Sequence, residues 1–142
     1  MKKQIYVNIS VKDLKKSIEF FSKLGFKFRQ EFTNEQSTCM IVEENIFFML
    51  LEEETFSGFL PGRKICDTSN NTEALMGISA NSREEVDEMI ENVIEAGGKK
   101  YRDSFDHGWM YGQSFLDLDG HVWEVFYINE DEMPEEMKNK IM

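Results

Sequence analysis

The chain has 142 residues, the size of one ordinary domain with room for a hydrophobic core, and 41% of them are apolar, which argues against disorder. Acidic residues outnumber basic ones 27 to 16, for a formal charge of -11. That balance disfavours nucleic acid and an anionic membrane surface, because phosphate binding needs a positive face.

No apolar run reaches the roughly 18–20 residues of a membrane span. The opening MKKQIYVNIS lacks the apolar core of a signal peptide. Cys39 and Cys66 are far apart and show no metal-ligand spacing, so both are expected to be reduced in a cytoplasmic protein.

QIYVNISV (4–11) alternates and reads as a strand. KDLKKSIEFFSKLGF then places Leu14, Ile18, Phe21 and Leu24 at helical spacing, with Gly25 at the C-terminal cap. Strands follow at 26–32, 37–43 and 46–51, the last two joined at the Glu43-Glu44-Asn45 corner. The first module, 4–51, is therefore β-α-β-β-β. A polar connector with Gly and Pro, 52–72, comes next, and a connector of that length usually has a job of its own.

The second module, 73–128, repeats the order. EALMGISA (73–80) is a strand, and the helix after it has Asn81 or Ser82 as N-cap and Gly97-Gly98 at its end. Its buried stripe is expected to be Val86, Met89, Ile90, Val93 and Ile94. Strands near 99–104, 109–117 and 121–128 complete it. Asp117-Leu118-Asp119-Gly120 between the last two is turn chemistry, with Asp bonding local backbone and Gly supplying a positive φ. Ile9-Ser10 lines up with Ile78-Ser79, and NIFFML with GHVWEV, as expected of a duplication. The remaining 129–142 suggests a short terminal helix or a solvated tail, with Pro134 near the helix start.

Paired β-α-β-β-β modules carrying NISVKDLKKSIEFFSKLGF at the start and FLDLDGHVWEV near the end resemble the vicinal oxygen chelate superfamily. Glyoxalase I, extradiol dioxygenases, fosfomycin-resistance enzymes and bleomycin-resistance proteins belong to that group. The resemblance spans residues 4–128 and is nearest to small bacterial glyoxalase-like proteins. It implies an α+β fold in which two modules form an open, cleft-bearing mixed β-sheet barrel, often in a homodimer. It also implies metal ligands at one inward position on the first and last strands of each module, here Tyr6, Met49, Leu75 and Glu124. Only Glu124 is a good donor, and catalytic zinc usually takes three protein ligands. The family metal is therefore expected to be absent, with no other cofactor.

Strand parity assigns the cleft face. If Glu124 points inward, so do Val122 and Phe126, and a four-residue turn would bring Tyr111, Gln113 and Phe115 beside them. Tyr6, Asn8 and Ser10 share the inward face of the first strand, and Leu75 and Gly77 that of the second module's first strand. The expected ligand cleft is thus Tyr6, Asn8, Met49, Leu75, Tyr111, Gln113, Phe115, Glu124 and Phe126, an aromatic and apolar surface with a few converging polar groups. Glu124 is the candidate catalytic residue; its plainer role is a strand carboxylate satisfied by an amide such as Gln113. His121 is expected to face away from Glu124, and His107, in a glycine-flanked loop, could lean over the cleft mouth as its acid-base partner.

The expected function is binding of a small organic molecule without the family metal, as in bleomycin-resistance proteins. The alternative is a lyase, isomerase or dioxygenase that holds a divalent metal through other ligands or uses Glu124 as base.

Overall fold

The computed structural model describes residues 2–138 and is α+β, with two open mixed sheets in two compact units divided between Glu73 and Ala74.

In the first unit, β1 (Ile5–Val11) leads into α1 (Leu14–Lys23), followed by β2 (Lys27–Arg29), β3 (Ser37–Glu43) and β4 (Ile46–Glu52). Asp13 caps α1 by accepting the Lys16 N–H at 3.1 Å. At its other end Gly25, at φ 100°, takes the left-handed conformation that lets the chain turn back. The helix buries Leu14, Ser17, Phe20 and Phe21, the two rings edge to face, whereas Ile18 is only half-buried. The sheet order is β1-β4-β3-β2, with β1 parallel to β4 and the other pairs antiparallel. A parallel β1–β4 pair needs the long crossover that the helix and middle strands supply.

The second unit repeats the plan with β5 (Leu75–Ser79), α3 (Arg83–Glu95), β6 (Lys99–Lys100), β7 (Phe105–Asp106), β8 (Met110–Leu116) and β9 (Val122–Ile128). β5 runs parallel to β9, β9 pairs antiparallel with β8, and β8 carries both β6 and β7 on its far edge. Of the predicted strand over 99–104 only Lys99–Lys100 is strand, and β7 follows just beyond it; in the gap Arg102 donates its backbone N–H to the Ser114 hydroxyl at 3.1 Å. Ser82 is the α3 cap, accepting the Glu85 N–H at 3.0 Å, while Glu85 reaches back to the Asn81 N–H at 2.6 Å. Val86, Ile90 and Val93 are buried against the sheet, but of the other two residues expected in the stripe Met89 is half-buried and Ile94 is 55% exposed.

Both units use the same register. Tyr6 pairs with Phe47, two residues before Met49; Leu75 pairs with Val122, two residues before Glu124. The connector is not featureless: α2 (Glu53–Ser57) follows β4 directly, and further turns continue it through Arg63. Residues 130–132 and 135–137 form single 3-10 turns with Pro134 just ahead of the second, and the end of the predicted terminal helix lies outside the described residues. No described helix is long and apolar enough to cross a membrane.

Candidate functional site

The β8–β9 hairpin decides which side chains accompany Glu124. Asp117 accepts the backbone N–H of both Asp119 (2.9 Å) and His121 (3.0 Å) on one carboxylate oxygen, and Gly120 follows at φ 85°. His121 is thereby drawn into the loop, and the first ladder pair is Leu116 with Val122. The loop has one residue more than the four-residue turn that the sequence suggested. A one-residue change of register exchanges every side chain between the faces. Opposite Glu124 stands Ser114, with Gly112 opposite Phe126.

Tyr111, Gln113 and Phe115 therefore lie on the other face, which corrects the expectation that they join Glu124. Phe115 is buried and stacks on Trp123 at 6.1 Å between ring centroids. Gln113 donates to Asp87 of α3 at 2.6 Å, and the Tyr111 hydroxyl donates to the same carboxylate. That bond favours the protonated phenol and raises the Tyr111 pKa. Arg83 lies 4.9 Å over the Tyr111 ring and forms a two-pronged pair with Asp106, at 2.8 Å for each bond. This group fastens α3 to the sheet. Asp87 is a partner the sequence did not disclose, since nothing in its helical position distinguishes it from the neighbouring glutamates.

On the Glu124 face, the partner is Arg102 and not Gln113. The guanidinium Nη2 donates to Glu124 Oε2 at 2.5 Å, and Nε donates to the same oxygen at 3.2 Å. The Glu124 side chain is 21% exposed and that of Arg102 49%. Arg102 lies 4.9 Å over the Phe105 ring, and Phe105 in turn covers Gly112, where an added Cβ would stand 2.2 Å from the ring. Gly77 is next to Glu124 in the ladder and packs against Phe126. Leu75 shares the face and is exposed. His107 is exposed and its ring is tilted against Phe105, with centroids 6.0 Å apart. His121 is buried in the hairpin loop.

In the first unit Tyr6, Asn8 and Met49 share one face, with Asn8 paired to Met49. The Tyr6 ring stacks on Phe47 at 4.9 Å. Asn8, together with Phe56, Phe59 and Leu60, lines a cavity of about 490 Å³. Three of these four come from the connector, which the sequence marked as long without assigning its side chains. Phe59 is 70% exposed at the edge of this cavity. Another depression, beside Lys12, Gln36 and Glu52–Thr55, has mainly polar and charged walls.

The chain matches the family model for the Glyoxalase/Bleomycin resistance protein/Dioxygenase superfamily over residues 3–125. It belongs to that superfamily. Similar solved structures include a hypothetical protein from S. aureus, 28% identical, covering 89% of this chain and 94% of that one at a TM-score of 0.75. A glyoxalase/bleomycin resistance protein/dioxygenase family enzyme from Burkholderia phytofirmans is 15% identical, with 89% and 99% covered and a TM-score of 0.75. The fosfomycin resistance protein FosX from Listeria monocytogenes is 17% identical, with 89% and 93% covered and a TM-score of 0.64. The last two show the fold alone. No curated protein matches the chain.

The superfamily fold implies a metal site, and the residues at the implied positions do not fit one. Tyr6 is a weak donor, Met49 a soft thioether, Leu75 no donor at all, and Glu124 is already engaged by a guanidinium. Among the described residues no three His, Cys, Asp or Glu side chains are grouped to hold an ion.

Proposed function

We propose that this superfamily member binds a small organic molecule and does so without a metal. The observation that carries the reading is the cavity of about 490 Å³ walled by Asn8, Phe56, Phe59 and Leu60. Its volume and its mixture of apolar walls with one amide suit a small-molecule pocket. Asn8 supplies a carbonyl and an amide for orientation, while an exposed phenylalanine gains by being covered by a ligand. The donor set around Glu124 supports the metal-free part. The same reading has the protein act in the cytoplasm as a homodimer, with no nucleic-acid or membrane partner, in keeping with its charge of -11.

The test is metal analysis of the purified protein, followed by a thermal-shift screen of divalent metals and small organic molecules. Fosfomycin belongs in that panel, given the name of the Listeria neighbour, and bleomycin belongs there on the family name. The expected result is stabilisation by an organic ligand and none by metals, with the affinity of Phe59→Ala about tenfold weaker, a loss of roughly 1.4 kcal/mol. Stoichiometric zinc, iron, nickel or manganese bound through Glu124 would overturn the metal-free reading and bring a metal-dependent lyase, isomerase or dioxygenase forward.

A further inference from the structure

The cavity of about 490 Å³ in the first unit sets one polar side chain, Asn8, against three apolar ones, Phe56, Phe59 and Leu60. The connector backbone adds little polarity to that wall. The Phe59 and Leu60 N–H groups donate to the Phe56 and Ser57 carbonyls at 3.0 Å each, and the Leu60 carbonyl accepts from the Arg63 N–H at 3.1 Å. These turns already satisfy backbone groups that a ligand would otherwise meet. Asn8 is left as the polar contact, and no ionisable side chain stands among the described residues of the wall.

The Asn8 amide is itself unevenly satisfied. Its Nδ2 donates to the Tyr6 carbonyl at 3.4 Å, a long bond within the same strand. That neighbour fixes which end of the amide faces it, because Oδ1 in the same place would set two acceptors against each other. Among the described residues no donor reaches Oδ1. Asn8 is exposed, so solvent reaches this oxygen until something covers it. A molecule that covers it without offering a donor leaves an acceptor buried and unpaired.

We infer that this cavity selects a neutral, flat-ringed molecule carrying an O–H or N–H donor, of the phenol or indole kind. The donor rests on Asn8 Oδ1, and the ring packs against Phe56, Phe59 and Leu60. An anion would turn an acceptor toward an acceptor, on a wall that holds no cation. A cation can donate to Oδ1 but gives up its hydration with no counter-ion to replace it. A ring without a donor suits the apolar side and strands the amide oxygen. This deepens the small-molecule reading and rests on it.

The experiment titrates the full-length protein at neutral pH with 2-naphthol, 2-methoxynaphthalene and 2-naphthoate, following the Asn8 side-chain amide and the Phe59 ring by NMR. The expected result is that 2-naphthol shifts both signals and binds about tenfold tighter than either other probe, a difference of about 1.4 kcal/mol. Methylation adds apolar surface, so burial alone would make the ether the tighter ligand. The reverse order isolates the hydrogen bond. Asn8→Leu, close in volume and without the acceptor, should bind naphthol and ether equally or favour the ether. The wild-type panel decides the matter even where the variant folds poorly. Equal or tighter wild-type binding of the ether or the naphthoate overturns the inference, as does a silent Asn8 amide or an unchanged preference in Asn8→Leu. If organic ligands move Phe59 without that preference, the inference fails and the proposed function stands. If no small molecule moves Phe59, both fail.

Discussion

The Trp123 indole N–H donates to Asp117 Oδ2 at 3.0 Å, and both residues are buried, Trp123 completely. With the Asp119 and His121 N–H groups on Oδ1, three donors converge on one carboxylate, which can accept on both oxygens. Asp117→Asn keeps one acceptor but turns an NH2 group toward the Trp123 donor or toward the two backbone donors. The expected cost is about 1–3 kcal/mol for a buried donor left facing another. Denaturant unfolding followed by tryptophan fluorescence measures it. A variant as stable as the wild type would show that the carboxylate does not organise the hairpin.

The acid titration of the fold should contain two contributions of opposite sign. Asp106 is held below the ordinary carboxylate value of 3.8, first by its hydrogen bonds from Arg83 and then by the Gly108 N–H. Its contribution to stability is present above 3.8 and is lost as pH falls through the lower folded value. Asp117 behaves in the opposite way. Burial raises its pKa above 3.8, against the pull of His121 and the Trp123 N–H. Its contribution is fully present below 3.8 and is lost as pH rises through the folded value. Relative to the wild type, Asp106→Asn should therefore lose least at acid pH, and Asp117→Asn should lose least toward neutrality. Melting temperatures of the three proteins between about pH 3 and 6, bracketing the ordinary carboxylate pKa, check the signs. Differences running the same way in both variants would contradict this assignment.

The two β-α-β-β-β repeats were legible because period-two and helical patterns alternate with caps at Gly25, at Asn81 or Ser82, and at Gly97. The face carrying Glu124 was legible only along its own strand. Tyr111, Gln113 and Phe115 were assigned by counting across a turn, and the count depended on whether His121 belongs to the strand or the loop. Three hydrogen bonds to Asp117 settle that, and no periodicity encodes them. Arg102 was missed for a related reason. It lies in a break between β6 and β7 that reads as continuous strand, and it reaches Glu124 across β8. The cavity at Phe59 was foreshadowed only by the length of the connector.

A homodimer is expected, since isologous pairs are the commonest closed oligomers. Sedimentation equilibrium at tens of micromolar protein should return twice the chain mass of 16.7 kDa. A monomer throughout that range would remove the dimer from the proposal.

Gly112 offers the sharpest check on the aromatic surface beside Glu124. It is buried in β8, paired with Phe105 on one side and Phe126 on the other. An added Cβ would lie 2.2, 2.7 and 2.9 Å from three atoms of the Phe105 ring, closer than any real contact. Gly112→Ala must therefore push the ring away from the sheet. Overpacking of this kind costs about 1–3 kcal/mol. The displaced ring would also withdraw the support beneath the Arg102 guanidinium, 4.9 Å above it. Phe105→Ala in the same chain makes room for the new methyl group, so Gly112→Ala with Phe105→Ala should cost less than the sum of the two single changes. Chemical unfolding of the four proteins in this cycle measures the coupling. Strict additivity would mean that Phe105 does not lie against Gly112 in solution.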